Sequence, residues 1–316
     1  MQGRQHRVIS SLRIGTRGSV LALWQAGWVK TQLENLWSGL RVELVPIKTS
    51  GDKIQDVSLA QIGGKGLFVK EIEEALLAET IDLAVHSVKD LPAELPAGLT
   101  LSAIPEREDP RDVLITRHGE TLAELPAGTR VGTSSLRRQA LLLHLNPGLR
   151  VEMLRGNVDT RLRKQREGVV DATVLAMAGL KRLGLTPEHS QVLDAQVFLP
   201  AIGQGALGIE TRANDKVVAL VRPLHHEATA IAVSAERAFL NRMGGSCRTP
   251  LAAKGTALDN RVHLAALVAS PDGRQVIRGD EEGPTDMAGQ VGATLAEKLL
   301  AQGGKEILEA LQTAKM

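Results

Sequence analysis

Short aliphatic runs that alternate with amphipathic stretches constrain the fold of this chain more than any other feature. Residues 41–49 (RVELVPIKT) and 81–86 (IDLAVH) have the composition of buried strands. Between them, residues 67–79 (LFVKEIEEALLAE) carry apolar side chains at helical spacing. A strand, a helix and a strand in this order are typical of a βαβ unit. The beginning of the chain therefore predicts an α/β domain.

The same alternation recurs in the middle of the chain. It predicts four strands and two helices: strands at 113–117, 129–132, 151–155 and 171–176, and helices from Ser135 and over 157–167. Proline-containing connections at 104–110 and near 199–200 separate this second unit from the first. Two crossings would return the chain to its first domain after the second is complete, and we expect them to act as hinges.

The pattern changes after about residue 225. A long helix is predicted over 227–242, a hairpin with its turn at 270–273 (SPDG), and a last helix near 287–300. A chain of 316 residues exceeds what one hydrophobic core usually organises. We therefore predict an α/β fold class with two α/β domains around a cleft and a smaller C-terminal α+β domain. The expected boundaries are 1–104 with 200–223, 105–199, and 224–316.

Several classes of protein are disfavoured by what the sequence lacks. The first twenty residues hold no apolar run of the length that a secretory signal needs, and no stretch of about 18 apolar residues occurs. We therefore expect a cytoplasmic protein with no membrane partner. Cys247 is the only cysteine, which rules out an internal disulfide and a cysteine-based metal cluster. Aromatic residues are 2% of the chain, too few for the stacking platforms of single-stranded nucleic-acid binders.

Positive charge is concentrated in one segment although the net charge is only +2. Residues 130–182 carry a local excess of seven positive charges, most of them arginine. The arginine fork matches a carboxylate or a phosphate with two hydrogen bonds, so the segment indicates a defined anionic ligand. A solvated helix face is the alternative interpretation.

Polar side chains follow two of the predicted strands. Ser87, Lys89 and Asp90 come after the strand at 81–86. The strand at 129–132 is followed by a second cluster, which consists of Thr133, Ser134, Ser135, Arg137 and Arg138. Ligands of open α/β sheets bind at the carboxyl ends of strands, so we expect the functional site there. Helix capping alone could explain either serine, but not the adjacent pair of arginines.

Five segments occur in an order that matches a known family. They are AVHSVKDLP (84–92), GTSSLRRQ (132–139), LRGNVDTRL (154–162), LPAIGQGALGIE (199–210) and GGSC (244–247). Two more, IGTRGSVLALWQA (14–26) and GGKGLFVKE (63–71), extend the match over nearly the whole chain. The sequence resembles porphobilinogen deaminase, also called hydroxymethylbilane synthase.

The resemblance implies a transferase of tetrapyrrole synthesis. Such an enzyme joins four molecules of porphobilinogen head to tail, releases ammonia each time, and yields the linear hydroxymethylbilane. Growth starts on a covalent dipyrromethane cofactor held by a thioether to the loop cysteine, here Cys247. The resemblance also implies a monomer, with first and second domains similar to periplasmic binding proteins.

The resemblance also implies a role for each matching polar residue. Asp90 would be the catalytic carboxylate. The cofactor would be bound by Ser87, Lys89, Asp90, Thr133, Ser135, Arg137, Arg138 and Arg155. The carboxylates of the substrate would be bound by Arg17, Ser19, Lys65, Arg155, Arg161 and Arg182. We predict no metal site, and we expect His86 to have a structural role.

Two positions depart from the family pattern, and two other classes of protein remain as alternatives. Gln61 stands where a basic residue is common, and Gly244 stands where glutamate is common. A reversible solute-binding module would share the two α/β lobes but would have no use for Cys247. A nucleic-acid binder would use the basic segment 130–182 and lose affinity steeply with salt.

Overall fold

Strands and helices alternate from the first described residues onward, as the sequence predicts. The protein is represented by a computed structural model that describes residues 9–53, 66–244 and 249–313. Its first described part contains β1 (Ser11–Arg17), α1 (Val20–Leu36), β2 (Arg41–Ile47), α2 (Ser50–Lys53), α3 (Lys70–Leu77), β3 (Leu83–Ser87) and β4 (Leu99–Ala103). A short 3-10 turn, Val88–Asp90, follows β3.

The middle of the chain contains the second group of predicted elements. They are β5 (Asp112–Ile115), β6 (Arg130–Gly132), α4 (Leu136–Leu145), β7 (Arg150–Glu152), α5 (Val158–Arg166), β8 (Ala172–Ala176), α6 (Met177–Arg182) and β9 (Ser190–Val192). The strand predicted at 151–155 ends early, at Glu152. The chain turns soon afterwards through Gly156, whose φ of +122° suits glycine alone, and Asn157 then caps α5.

The last part contains one strand and one short helix before the third domain begins. The elements are β10 (Leu207–Arg212), α7 (Val217–Val221), α8 (Glu227–Arg242), β11 (Leu251–Leu258), β12 (Arg261–Ala269), β13 (Val276–Pro284), α9 (Ala288–Leu299) and α10 (Lys305–Thr313). The long helix predicted at 227–242 and the hairpin turn at 270–273 are both confirmed. The sequence did not predict the turn between β11 and β12, nor α10.

Two five-stranded sheets share one topology. The first has the order β2-β1-β3-β10-β4 and the second β7-β6-β8-β5-β9. In each, three strands are parallel and the fourth in order runs antiparallel to them. That fourth strand follows a crossing in both sheets, because β5 comes after 104–111 and β10 comes after 193–206. The chain thus returns to its first sheet, and the expected pair of similar α/β domains is confirmed.

The third domain is built on the antiparallel sheet β11-β12-β13. Its main core includes Phe239 of α8 and Leu295 of α9. Ala252 and Leu267 instead pack with Leu141 in the core of the second domain. The second and third domains therefore share a hydrophobic core.

Glu236 in α8 joins the third domain to both crossings. Its side chain is fully buried and accepts hydrogen bonds from Arg107 Nη1 and Nη2, at 2.5 and 3.2 Å. It also accepts from the backbone N–H groups of Gly203, at 2.6 Å, and Gly255, at 2.8 Å. A buried carboxylate with this many donors is well satisfied, so α8 has a fixed position relative to both connections.

Candidate active site

The turn Val88–Asp90 lies at the carboxyl end of β3 and packs against the second crossing, residues 193–206. Val88 N donates to Ala206 O at 3.0 Å. Gly203 has a φ of +69°, and a Cβ there would lie 3.0 Å from Lys89 N. This backbone conformation favours glycine, and the close approach needs a residue without a Cβ, so the second crossing packs directly against the backbone of Lys89.

A central cavity lies where the three domains meet, and it encloses about 960 Å³ including its open mouth. Its wall from the first domain and second crossing contains Val88, Lys89, Asp90, Leu91, Ala201, Ile202 and Gln204. The second domain contributes Ser134, Ser135, Arg137, Arg138 and Arg161. The third domain contributes Arg237, Leu240, Thr249 and Leu251. Members of both strand-end clusters therefore line the same cavity.

Two smaller side cavities share walls with the central cavity. The first contains Arg17 and Ser19 beside Asp90. The second contains Arg182 beside Lys89, Arg138 and Arg161. Asp90 thus lies between the central cavity and the first side cavity, and Lys89 between the central cavity and the second.

Arg137 and Arg138 share one buried carboxylate, Asp112 in β5. Asp112 Oδ1 accepts from Arg138 Nη2 at 2.7 Å, and Oδ2 lies 2.8 Å from Arg137 Nη1. Gln204 Nε2 also donates to Asp112, at 3.0 Å. Burial alone would raise the pKa of Asp112, but the two guanidiniums and the hydrogen bonds lower it to about 2. Two arginines and one carboxylate leave a net positive charge on this wall.

Sequence reasoning missed Asp112 and Gln204. Gln204 lies within the quoted segment LPAIGQGALGIE, which was a usable signal. Asp112 follows the first crossing as a single carboxylate among ordinary charged residues, and its importance comes only from contacts in space with α4 and Gln204.

Three other cations around the cavities, of which Arg182 is buried and Lys89 and Arg161 are half-buried, lack full counter-charge. Burial lowers the pKa of Lys89 to about 8, against an opposing effect of Asp90. Burial also lowers the pKa of Arg161 to about 10, with further lowering by Arg138 and Arg155. Burial lowers the pKa of Arg182 to about 10 as well. Depressed pKa values in neighbouring cations indicate that the site is suited to an anion.

The predicted hydroxyl residues also have local partners. Ser19 Oγ accepts from Ala22 N and caps α1, and Ser135 Oγ accepts from Arg138 N and caps α4. Thr133 Oγ1 accepts from Ser135 N at 3.2 Å. Gln25 Nε2 donates to Ser87 Oγ at 2.9 Å. Of the two serines for which capping was the alternative, Ser135 caps a helix, and Ser19 does so without having been predicted to. Each of these two residues also lines a cavity.

Three predicted arginines do not line the central cavity: Arg182, which lines the second side cavity, Arg17 and Arg155. Arg17 stacks over the ring of Phe68 with its guanidinium carbon 4.4 Å from the centroid, in the first side cavity. Arg155 is half-buried, lines none of the three cavities, and has its pKa lowered by burial.

His86 has the structural partner expected of it. Its Nε2 lies 3.0 Å from Glu210 Oε2, and both side chains are buried. Glu73, also buried, lies close enough to both that Glu210 raises its pKa and His86 lowers it.

Three residues named from the sequence, Cys247, Lys65 and Gln61, lie outside the described residues. Gly244 is described, and its φ of +60° is a conformation that favours glycine over the glutamate common in the family. Thr249, two positions after Cys247, lines the central cavity. No helix in the described part of the chain is both long enough and apolar enough to cross a bilayer.

Comparison with known proteins covers nearly the whole chain. The family model described as porphobilinogen deaminase, dipyromethane cofactor binding domain, matches residues 12–219, and the model of its C-terminal domain matches residues 230–301. The porphobilinogen deaminase of Syntrophotalea carbinolica is 57% identical over 96% of this chain and 96% of that protein. That of Syntrophobacter fumaroxidans is 52% identical over 96% of this chain and 98% of its own length.

A solved structure of an ancestral cationic amino acid solute-binding protein aligns with a TM-score of 0.42 and 15% identity, over 68% of this chain and 88% of that one. The family models and the curated relatives agree along the sequence, and both match the segments that line the central cavity. The chain belongs to the porphobilinogen deaminase family.

Proposed function

We propose that Asp90 is the carboxylate at which this transferase condenses porphobilinogen head to tail into hydroxymethylbilane. Family membership makes the chain a porphobilinogen deaminase with a dipyrromethane cofactor. One observation carries the assignment of residues. Among the described residues that line the central cavity, Asp90 is the single carboxylate, whereas the five other charged side chains are cations from three domains.

The residues of the central cavity suit a dipyrromethane. Each pyrrole ring of the cofactor carries an acetate and a propionate, so the ligand is strongly anionic. Lys89, Arg137, Arg138 and Arg161 face it with a single carboxylate among them, and the pKa values of Lys89 and Arg161 are lowered by burial. When bound, the group supplies the pyrrole carbon to which the first substrate unit is joined.

We assign the arginines and polar residues by the cavity that they line. Lys89, Ser135, Arg137 and Arg138 would hold the carboxylates of the cofactor in the central cavity, with Ser87, Thr133 and Arg155 as further candidates from the family pattern. Arg17 and Ser19 in one side cavity, and Arg161 and Arg182 at the other, would hold the carboxylates of the substrate. Lys65 and Arg155 complete the proposed substrate contacts.

Asp90 would act on the substrate through charge. In the reaction, the C–N bond of the aminomethyl group breaks, ammonia leaves with the bonding electrons, and the substrate becomes a methylene-pyrrole cation. The carboxylate of Asp90 would accept the pyrrole N–H and stabilise this charge as it develops. The same carboxylate could carry a proton to the leaving amine and take one from the attacked carbon.

The nearby lysine is coupled to Asp90. Lys89 is adjacent in the turn, and the charge of Asp90 raises the pKa of Lys89 against the larger lowering by burial. Arg138 and Arg161 would bind substrate or cofactor carboxylates by charge-assisted hydrogen bonds.

We propose Cys247 as the point of attachment of the cofactor. A thiolate is a strong carbon nucleophile and captures an electron-poor methylene-pyrrole irreversibly. Two described neighbours support the proposal, because Thr249 lines the central cavity and Gly244 adopts a positive φ just before the loop.

Intact mass spectrometry of protein purified from cells tests this proposal. We expect the mass of the polypeptide plus two pyrrole units, mapped by digestion to the peptide that contains Cys247, and no adduct in Cys247→Ser. Unmodified and fully active protein would contradict the attachment. A reversible solute-binding module would also give an unmodified protein, but without turnover.

The remaining expectations are kept as proposals. We divide the chain into domains at 1–104 with 200–223, 105–199, and 224–316, which agrees with the two crossings at 104–111 and 193–206. A cytoplasmic location, a monomeric state and the absence of a nucleic-acid partner stay predictions.

A further inference from the structure

Arg237 is a cation of the central cavity that no sequence motif indicated. It lies on α8 and lines the cavity from the third domain. Its Nη2 donates to Ala93 O at 2.8 Å. Its Nη1 is buried and has no hydrogen-bond partner among the described residues. A buried donor without an acceptor is unfavourable, so the guanidinium is suited to a ligand that supplies one.

The charge of Arg237 is also unmatched within the described part of the chain. No ion pair forms there between Arg237 and a carboxylate, and burial lowers its pKa. The charge of Glu210 raises the pKa of Arg237, but the carboxylate of Glu210 is already hydrogen-bonded to His86. By contrast, Arg137 and Arg138 have Asp112 as a shared partner.

The neighbouring residue holds Arg237 in position. Glu236 is bonded to Arg107, Gly203 and Gly255, which fixes α8 against both crossings. The bond to Ala93 O fixes one amino group of the guanidinium in addition. Arg237 is therefore preorganised, and a ligand contact would require little loss of side-chain entropy.

Arg237 lines the central cavity and neither of the two side cavities. An anion in the central cavity would thus have Arg237 of the third domain and Arg137 of the second in the walls around it. Carboxylate is the ligand class that suits a guanidinium with a free donor edge in a cavity otherwise rich in arginine.

We propose that Arg237 binds a carboxylate of the dipyrromethane, so that the third domain holds the cofactor by a charge-assisted hydrogen bond as well as by its covalent link. This inference rests on the proposed function, because it takes the central cavity as the site of the cofactor. It makes Arg237 a binding residue and gives it no part in proton transfer.

The test compares the cofactor-free and cofactor-bound forms of the full chain, with Arg237→Gln beside wild type. Cofactor-free protein is given porphobilinogen, intact mass follows the two-pyrrole adduct, and the Tm of each form is measured. We expect the variant to form the adduct at least about tenfold more slowly, since hydrogen bonds to charged groups are the strong ones. We also expect cofactor loading to raise its Tm less than in wild type.

Two further variants make the result specific. Arg242→Gln removes an exposed arginine of the same helix, paired with Glu297, and should leave both readouts unchanged. Arg237→Lys keeps the charge and can still donate to Ala93 O, so it should recover part of the effect and no more, because the fork geometry is lost.

A merely structural Arg237 would lower the Tm of both forms of Arg237→Gln equally, with adduct formation as in wild type, and that result would overturn the inference. If slower assembly is seen with an undiminished rise in Tm on loading, Arg237 does not contact the bound cofactor and the inference is equally wrong. A wild-type protein with no adduct would overturn the proposed function itself, and its mass identifies that case. Altered amounts of longer adducts with a normal two-pyrrole adduct would place the contact on the growing chain, against the cofactor contact proposed.

Discussion

Asp112 shows how one buried residue determines the charge of the whole site. It is fully buried, carries the contacts of two arginines, and remains ionised because those contacts lower its pKa to about 2. Arg137 and Arg138 are themselves almost completely buried. The positive wall of the cavity therefore depends on a residue that does not line it.

Asp112→Asn should destabilise the protein by about 3 to 5 kcal/mol, because it leaves two buried guanidiniums without a counter-charge. Urea unfolding at pH 7 measures this. The contribution of Asp112 is present above its ordinary pKa and is lost as the pH falls towards about 2, since its folded pKa is depressed. Asp171→Asn, which breaks a surface pair with Arg130, should cost about 1 kcal/mol or less. Equal losses in the two variants would show that Asp112 is not the buried anchor.

Glu73 should make stability depend on pH in the opposite direction. Burial raises its pKa to about 7, with a further effect of Glu210, so it binds a proton in the folded state where the unfolded chain has released it. Its contribution to stability therefore falls as the pH rises from about 4.5 through about 7. Glu73→Gln should flatten this fall and be more stable than wild type at pH 8 by on the order of 1 to 3 kcal/mol.

The matched control is Glu309→Gln, a change at an exposed glutamate of α10 that has no part in the raised pKa of Glu73. We expect it to leave the pH dependence of unfolding unchanged. A Glu73→Gln protein that is less stable than wild type at pH 8 would mean that the ionised carboxylate stabilises the fold.

At the scale of elements, sequence pattern predicted what local chemistry determines. The bounds of α8 follow from its amphipathic run, and the turn Ser270–Gly273 follows from a Pro-Asp-Gly sequence. The turn at Asp259 and Asn260 escaped prediction because its positive φ values, 49° and 60°, occur without glycine. Strand β7 is short because Gly156 turns the chain away from the sheet.

The residues of the candidate site likewise fall into those that the sequence pattern predicted and those that only contacts in space reveal. Residues at the ends of β3 and β6 were predictable, because strand ends are where ligands bind in such sheets. Asp112, Gln204 and Arg237 were not, because their roles come from contacts between parts of the chain that are far apart in sequence. Ser19 and Ser135 match the family pattern, yet each hydroxyl already accepts a hydrogen bond from the helix that it caps.

The second crossing should be as important to the turn Val88–Asp90 as the turn's own sequence. Gly203→Ala would bring a Cβ to 2.5 Å from Val88 Cγ1 and 3.0 Å from Lys89 N, which displaces the turn. We expect turnover to fall at least about tenfold, since small misplacements of reacting groups have large effects on rate.

Gly39→Ala is the control, because Gly39 also has a positive φ, +82°, but nothing lies within 4 Å of its Cβ position. Both variants should lose about 1 to 2 kcal/mol of unfolding free energy for the strained backbone, and only Gly203→Ala should lose activity as well. Equal turnover in the two variants would show that the second crossing does not determine the geometry of the site.

At the scale of the molecule, the site lies where all three domains meet. The second and third domains share a core through Ala252 and Leu267, and the third contacts the first through Val88, Ala206 and Val233. Both crossings reach Glu236 of α8. The cavity is therefore enclosed by parts of the chain that are held together, and Asp90 lies between it and the first side cavity.

The central claim is that Asp90 stabilises the charge that develops on each substrate unit, and the rate of ammonia release by Asp90→Asn tests it most directly. A neutral amide cannot balance that charge, so the rate per folded protein should fall by about 100-fold or more, on the order of 3 kcal/mol. The Tm should stay close to that of wild type, since Asp90 is only half-buried. Asp280→Asn, a change at an exposed carboxylate of the third domain, should leave both rate and Tm unchanged. Near-normal ammonia release by folded Asp90→Asn protein would contradict the account.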